Sequence, residues 1–159
     1  MSLILLYLVA IVAANLTTAA FGPEWSIVNA FLFIGLDLTT RDALHERWQG
    51  AALWPNMAAL IGAGSVLSVV CNLNALSIAV ASFLAFIAAG VVDTLIYSAL
   101  HERAKLVKIN GSNVVSAAVD SLVFPTLAFG SFMPLIVLGQ FAAKVFGGYL
   151  WSLVIARRQ

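Results

Sequence analysis

Long apolar segments alternate along the chain with short breaks that are polar or contain Gly and Pro. A helix needs about 20 mostly apolar residues to cross the hydrocarbon layer of a membrane. Six segments approach that length: residues 3–21, 26–41, 51–71, 75–99, 112–130 and 132–156. The breaks include Gly22-Pro23, the Asn-rich stretch 71–75 and the stretch 130–134, and these residue types favour turns. The pattern predicts one all-α domain, residues 1–159, with six transmembrane helices.

Composition places the chain in the class of integral membrane proteins. Of its 159 residues, 62% are hydrophobic and 9% are charged, with a mean hydropathy of +1.02. Soluble domains carry about 25% charged residues, so a water-soluble fold could not cover this much apolar surface. The net charge of +1 does not indicate a surface that binds nucleic acid.

Basic residues predict the orientation of the spans. Seven of the eight Lys and Arg residues follow the second, fourth and sixth segments: Arg41, Arg47, Arg103, Lys105, Lys108, Arg157 and Arg158. Lys and Arg are enriched in cytoplasmic loops. We therefore expect both termini in the cytoplasm and a multi-pass protein of the inner or plasma membrane.

Four ionisable residues interrupt the predicted spans: Asp37, Asp93, Asp120 and Lys144. Each costs about 2.5–3.5 kcal/mol at the centre of a span, and such residues face the bundle interior or a watery cavity. Asn113, Ser116 and Asp120 recur at helical spacing, as do Gln140 and Lys144, so each span presents one polar stripe. The stripes predict a shared polar chamber; Lys144 either neutralises an aspartate there as a structural ion pair or contacts a ligand directly.

Several segments resemble one family throughout the chain. The segments "AANLTTA" (13–19), "FLFIGLDLTTRDALHERW" (31–48), "VASFLAFIAAGVVDTLIYSAL" (80–100), "SNVVSAAVDSLVFPTLAF" (112–129) and "GQFAAKVFGGYL" (139–150) are similar, in order, to the signatures of the queuosine precursor transporters, a vitamin-uptake-transporter-like membrane family. The resemblance implies import of a 7-deazaguanine base, such as 7-cyano- or 7-aminomethyl-7-deazaguanine. It also implies a six-helix fold related to the substrate-binding subunits of energy-coupling-factor transporters, working without their ATPase module. No enzyme activity, cofactor or metal is expected.

A guanine-like base has chemical needs that the polar stripes can meet. Its ring N–H and exocyclic amine suit one carboxylate, as a bidentate pair, and we expect Asp120 or Asp93 in that role. Aromatic side chains stack on such bases. The expected substrate-binding residues are Asp120, Asp93, Asn113, Lys144, Gln140, Ser116, Phe86, Phe124, Asn15 and Trp54. Asp37 with Arg41 is assigned to a gate or a structural ion pair.

Two other function classes remain as alternatives. One is a substrate-binding subunit that requires an ATP-driven partner. The other is a membrane-embedded enzyme, although the sequence lacks D-x-x-D and H-E-x-x-H motifs. We expect secondary transport in which one aspartate takes up a proton. The expected partners are a small nucleobase and the lipid bilayer, without nucleic acid, in either a monomer or a homodimer.

Overall fold

The computed structural model describes residues 3–34, 44, 48, 53–100 and 105–156. Within these ranges the chain is helical and contains no strand. The α-helices are α1 (Leu3–Phe21), α2 (Pro23–Asn29), α3 (Leu53–Cys71), α4 (Leu76–Ala99), α5 (Lys105–Phe129) and α6 (Pro134–Ala156). The all-helical class predicted from the apolar pattern is therefore confirmed for the described part of the chain.

The turns between helices follow from the residues at each break. Gly22 takes φ +88°, which only glycine adopts without strain, and Pro23 then begins α2. Asn72 accepts a hydrogen bond from the backbone N–H of Asn74 at 3.0 Å and starts a short 3₁₀ turn, Leu73–Ala75. Gly130, at φ +68°, follows the end of α5. The three breaks predicted from sequence are thus confirmed as turns.

The second predicted span, residues 26–41, differs from what the structure shows. Its helix starts earlier, at Pro23, and its regular α-helical part ends at Asn29. A π-helical turn, Ala30–Ile34, follows. Residues 35–41, including Asp37 and Arg41, lie outside the described residues. Such π-helical turns occur frequently at functional sites.

The helices pack as a closed ring in the order α1, α3, α4, α5, α6, α2 and back to α1. Asn15 contacts Ser68 and Ile11 contacts Gly64, a constant offset that makes α1 and α3 parallel. Ile27 of α2 lies against Gly139, and Phe31 of the π-helical turn lies against Gly147, so this segment and α6 run in the same direction. Helices joined by short turns run antiparallel, so chain direction alternates along the sequence. It does not alternate around the ring, where α1 and α3 are parallel neighbours and so are α2 and α6.

Three described stretches are long and apolar enough to cross a membrane: Leu3–Phe21, Leu73–Ile96 and Gly111–Phe129. Two shorter apolar stretches, Pro55–Cys71 and Pro134–Gly147, accompany them. Large apolar side chains such as Val70, Phe146 and Leu135 are exposed on the outside of the ring. An exposed apolar exterior around a polar interior is the arrangement that a lipid environment stabilises.

Candidate functional site

A cavity lies inside the ring, and all six helices contribute to its wall. Its volume is about 60 Å³, several times the 10–15 Å³ or so that one water requires. The polar side chains on its wall are Asn15, Thr18, Ser26, Asn29, Ser82, Ser116, Asp120, Gln140 and Lys144. Phe86 and Phe124 are the aromatic ones. Of the four ionisable residues on which the chamber was predicted, Asp120 and Lys144 are on this wall.

A buried ion pair forms one side of this cavity. The ammonium of Lys144 on α6 donates to Oδ2 of Asp120 on α5. It also donates to Ser121 Oγ at 3.1 Å and lies 3.4 Å from Gln140 Oε1. Lys144 is 3% exposed and Asp120 is 23% exposed. The ammonium has three N–H donors, and an oxygen lies near each of them.

The ion pair continues into a hydrogen-bonded chain that reaches α2. The amide nitrogen of Gln140 donates to Ser26 Oγ at 2.7 Å, and the Ser26 hydroxyl donates to the carbonyl oxygen of Pro23. Gln140 is buried at 1% exposure. A buried amide of this kind fixes the position of α2 relative to the lysine because both of its ends are engaged.

Backbone geometry places these side chains. Pro125 lies inside α5, and its missing N–H leaves the carbonyl of Ser121 without its usual helical partner, beside the ion pair. On α6, a Cβ at Gly147 would lie 2.6 Å from the carbonyl oxygen of Phe31. Glycine is thus required there for the π-helical turn to approach α6 closely enough to form the cavity wall.

Two asparagines fix α1 to its neighbours at the cavity. The Asn29 amide donates to the Ala14 carbonyl at 3.1 Å and to Thr18 Oγ1 at 2.8 Å, and its oxygen accepts from Thr17 at 3.0 Å. The Asn15 amide donates to Ser68 Oγ at 3.1 Å. Both N–H donors of the Asn29 amide are therefore used by protein, which suits a structural role in holding α1 against α2.

Seven of the ten residues expected to bind substrate lie on the cavity wall: Asn15, Phe86, Ser116, Asp120, Phe124, Gln140 and Lys144. Asp93 and Asn113 are not among the wall residues. The side chain of Trp54 lies outside the described part of the chain, as do Asp37 and Arg41. Whether the seven residues bind substrate stays a prediction, and so does the choice between Asp120 and Asp93.

Sequence reasoning did not include Ser26, Thr18 or Asn29 in the binding site, although all three are on the cavity wall. Ser26 was missed because its role depends on the contact with Gln140, 114 positions later in the chain. Thr18 and Asn29 carried a weak signal, since polar residues in apolar helices commonly bond across helices.

An interior cavity with a buried ion pair, inside helices with an apolar exterior, is typical of a helical membrane protein. The chain matches the model of the family described as "Putative vitamin uptake transporter" over residues 1–157. It therefore belongs to the vitamin uptake transporter family. Neither the curated proteins nor the solved structures contain a significant match to this chain.

Proposed function

We propose that the chain imports a queuosine precursor, a 7-deazaguanine base such as the 7-cyano or 7-aminomethyl compound, across the cell membrane. Family membership supports uptake of a small molecule. The single observation that carries the choice of substrate is the Asp120–Lys144 pair on a cavity wall that also holds Phe86 and Phe124.

The hydrogen-bonding groups along the edge of a guanine-type base follow an order that Lys144 and Asp120 can complement. The edge presents a carbonyl oxygen, then a ring N–H, then an exocyclic amine. Lys144 can donate to the carbonyl in place of Gln140 Oε1, its most distant oxygen at 3.4 Å, and the adjacent carboxylate of Asp120 can accept from the two nitrogen donors. A carboxylate offers about four acceptor positions, so accepting from Lys144 leaves room for both. Phe86 and Phe124 supply flat apolar faces for the ring.

The Asp120–Lys144 pair also predicts a preference for guanine-type bases over other bases. An adenine-type base presents an amine where guanine presents its carbonyl, so Lys144 would meet a donor instead of an acceptor. A buried donor left without an acceptor costs about 1–3 kcal/mol. Because the ammonium and the carboxylate cancel each other's charge, the wall suits the uncharged 7-cyano base better than the 7-aminomethyl base, whose amine is protonated at neutral pH. We therefore expect adenine to compete poorly with the 7-cyano base.

The first experiment tests the substrate. Cells that cannot synthesise the precursor, but can still insert it into tRNA, receive either base at limiting concentration, and queuosine in tRNA is measured. Expression of the parent chain should restore queuosine, whereas Asp120→Asn and Lys144→Met should not. Glu24→Gln is the matched control, because Glu24 is an exposed acid at the start of α2. If the parent gives no more queuosine than an empty vector with both bases, the proposed substrate is wrong.

The second experiment tests the mode of transport. We propose secondary import without an ATPase partner, with both termini in the cytoplasm as the basic residues indicate. The purified chain alone, in liposomes without ATP, should then exchange labelled base across the bilayer. A chain that binds the base but exchanges it only after an ATPase module is added is instead a substrate-binding subunit.

A further inference from the structure

Of the ionisable residues that interrupt the predicted spans, Asp93 on α4 is the described one that the proposed substrate site does not use. Within the described residues, its Oδ1 atom is buried and has no hydrogen-bond partner. The adjacent hydroxyl, Thr94 Oγ1, bonds instead to the carbonyl of Gly90 at 2.9 Å. Asp93 thus differs from Asp120, which has Lys144 as its cation.

The position of Asp93 links it to the cavity. Ala89 is on the cavity wall and lies four residues before Asp93 on the same face of α4. At about 1.5 Å per residue, Asp93 lies about 6 Å further along the helix. This displacement is toward the C-terminal end of α4, which the basic residues predict to be cytoplasmic. Asp93 therefore lies between the cavity and the predicted cytoplasmic face.

Within the described backbone, no lysine or arginine of the neighbouring helices lies beside Asp93 in the way that Lys144 lies beside Asp120. Helix α4 packs against α1, α3 and α5, whose titratable residues are Tyr7, Cys71, Asp120, Lys105 and Lys108. Leu100 packs against Gly111, which puts the backbone of Lys108 about 15 Å along the bundle from Asp93. Asp120 is engaged with Lys144, and Cys71 lies at the opposite end of α3 and α4.

A carboxylate oxygen that is buried without a hydrogen-bond partner is costly, so its presence calls for a role. Carboxylates in membrane spans frequently serve as proton relays in transporters. We propose that Asp93 is the proton-carrying group of this importer, separate from the Asp120–Lys144 pair that holds the base. This inference rests on the proposed import function and assigns its coupling.

The cycle that follows balances in protons. A proton from the outer solution binds a carboxylate oxygen of Asp93 while the base occupies the cavity. Both are released into the cytoplasm, and Asp93 is left as a carboxylate for the next cycle. One proton enters with each base. At one proton per base, a gradient of about one pH unit supports about tenfold accumulation of an uncharged base.

The test uses liposomes that contain the purified chain and the labelled 7-cyano base. Exchange without a gradient and accumulation driven by an alkaline interior are both measured. The parent should show both activities. Asp93→Asn should keep exchange and lose the roughly tenfold accumulation, and Asp93→Glu should recover part of it. Asp120→Asn should lose both activities, and Glu24→Gln should keep both.

Three outcomes of the transport test would overturn the assignment. If Asp93→Asn accumulates the base as the parent does, Asp93 carries no proton for transport. If Asp93→Asn abolishes exchange as well, or removes uptake of the 7-aminomethyl base alone, Asp93 serves in structure or in substrate binding.

A separate measurement distinguishes failure of this inference from failure of the proposed substrate. In the purified chain without any base, the infrared carbonyl band of a protonated carboxylic acid should appear as pH falls, and it should be weaker in Asp93→Asn than in Glu24→Gln. If the parent chain transports neither base but the two variants still differ in this band, the proposed substrate is wrong and the assignment of Asp93 as the proton site is correct. An unchanged band in Asp93→Asn means that the proton site is wrong.

Discussion

Replacing Lys144 by methionine tests whether the ion pair supports the fold. Methionine keeps the length and apolar stem of the side chain but removes the ammonium that contacts Asp120, Ser121 and Gln140. The carboxylate of Asp120, only 23% exposed, then has no cation. Breaking a buried pair from one side costs about 3–5 kcal/mol, and a lone acid in a span costs about 3 kcal/mol. Because Asp120 keeps some exposure, we expect a loss of about 3 kcal/mol.

The size of the interaction comes from a second substitution in the same background. Asp120→Asn together with Lys144→Met removes both charges and leaves two side chains that need no counter-ion. The double variant should therefore recover about 2 kcal/mol of the loss caused by Lys144→Met. Unfolding by a denaturing detergent in mixed micelles, followed by tryptophan fluorescence, gives the free energies of unfolding.

Glu24→Gln is the control for this unfolding experiment. Glu24→Gln removes an exposed acid and should change the free energy of unfolding by less than about 0.5 kcal/mol. If the double variant is as unstable as the sum of the two single variants, Asp120 and Lys144 do not interact. The site built around their contact would then be wrong.

Three further predictions concern other walls of the cavity. Gly147→Ala should cost about 1–3 kcal/mol, because its Cβ would meet a backbone oxygen of the π-helical turn at 2.6 Å; Gly62→Ala, with 3.9 Å to its nearest neighbour, should be tolerated in the same unfolding assay. Asn29→Leu should lower stability by about 1–2 kcal/mol through its lost bonds to α1, and an unchanged unfolding curve would argue against this structural role. Phe124→Leu should weaken equilibrium binding of the base about 5- to 100-fold if the ring stacks on it, whereas the exposed Phe132→Leu should not.

The apolar pattern predicted the helices well because length and hydropathy directly determine which segments can be buried in lipid. The first helix, Leu3–Phe21, has the predicted bounds, and the fourth differs by one residue. Helix α5 was predicted to begin at residue 112 but begins at Lys105. The polar residues at its start do not interrupt hydrogen bonding along the helix, so an apolar window could not detect them.

The site was less predictable because it depends on contacts between helices. Helical spacing put Asp120 and Lys144 on polar stripes, but it could not tell which aspartate the lysine would meet. That choice follows from the packing of α5 against α6. The π-helical turn after Asn29 had no sequence signal, and the bond from Gln140 to Ser26 depends on how closely that turn approaches the glycines of α6.

Because α2 is short, we expect the ring of helices to open most easily beside it. Its α-helical part is seven residues long, and it packs against a face of α6 that carries Gly139. The Gln140–Ser26 bond is the polar contact across this seam, and one such bond is worth about 1 kcal/mol, less than twice the thermal energy. We expect a small solute to enter here, between α2 and α6, and Gln140→Leu to speed its entry and exit. If Gln140→Leu leaves the exchange rate unaltered, the solute enters by another path.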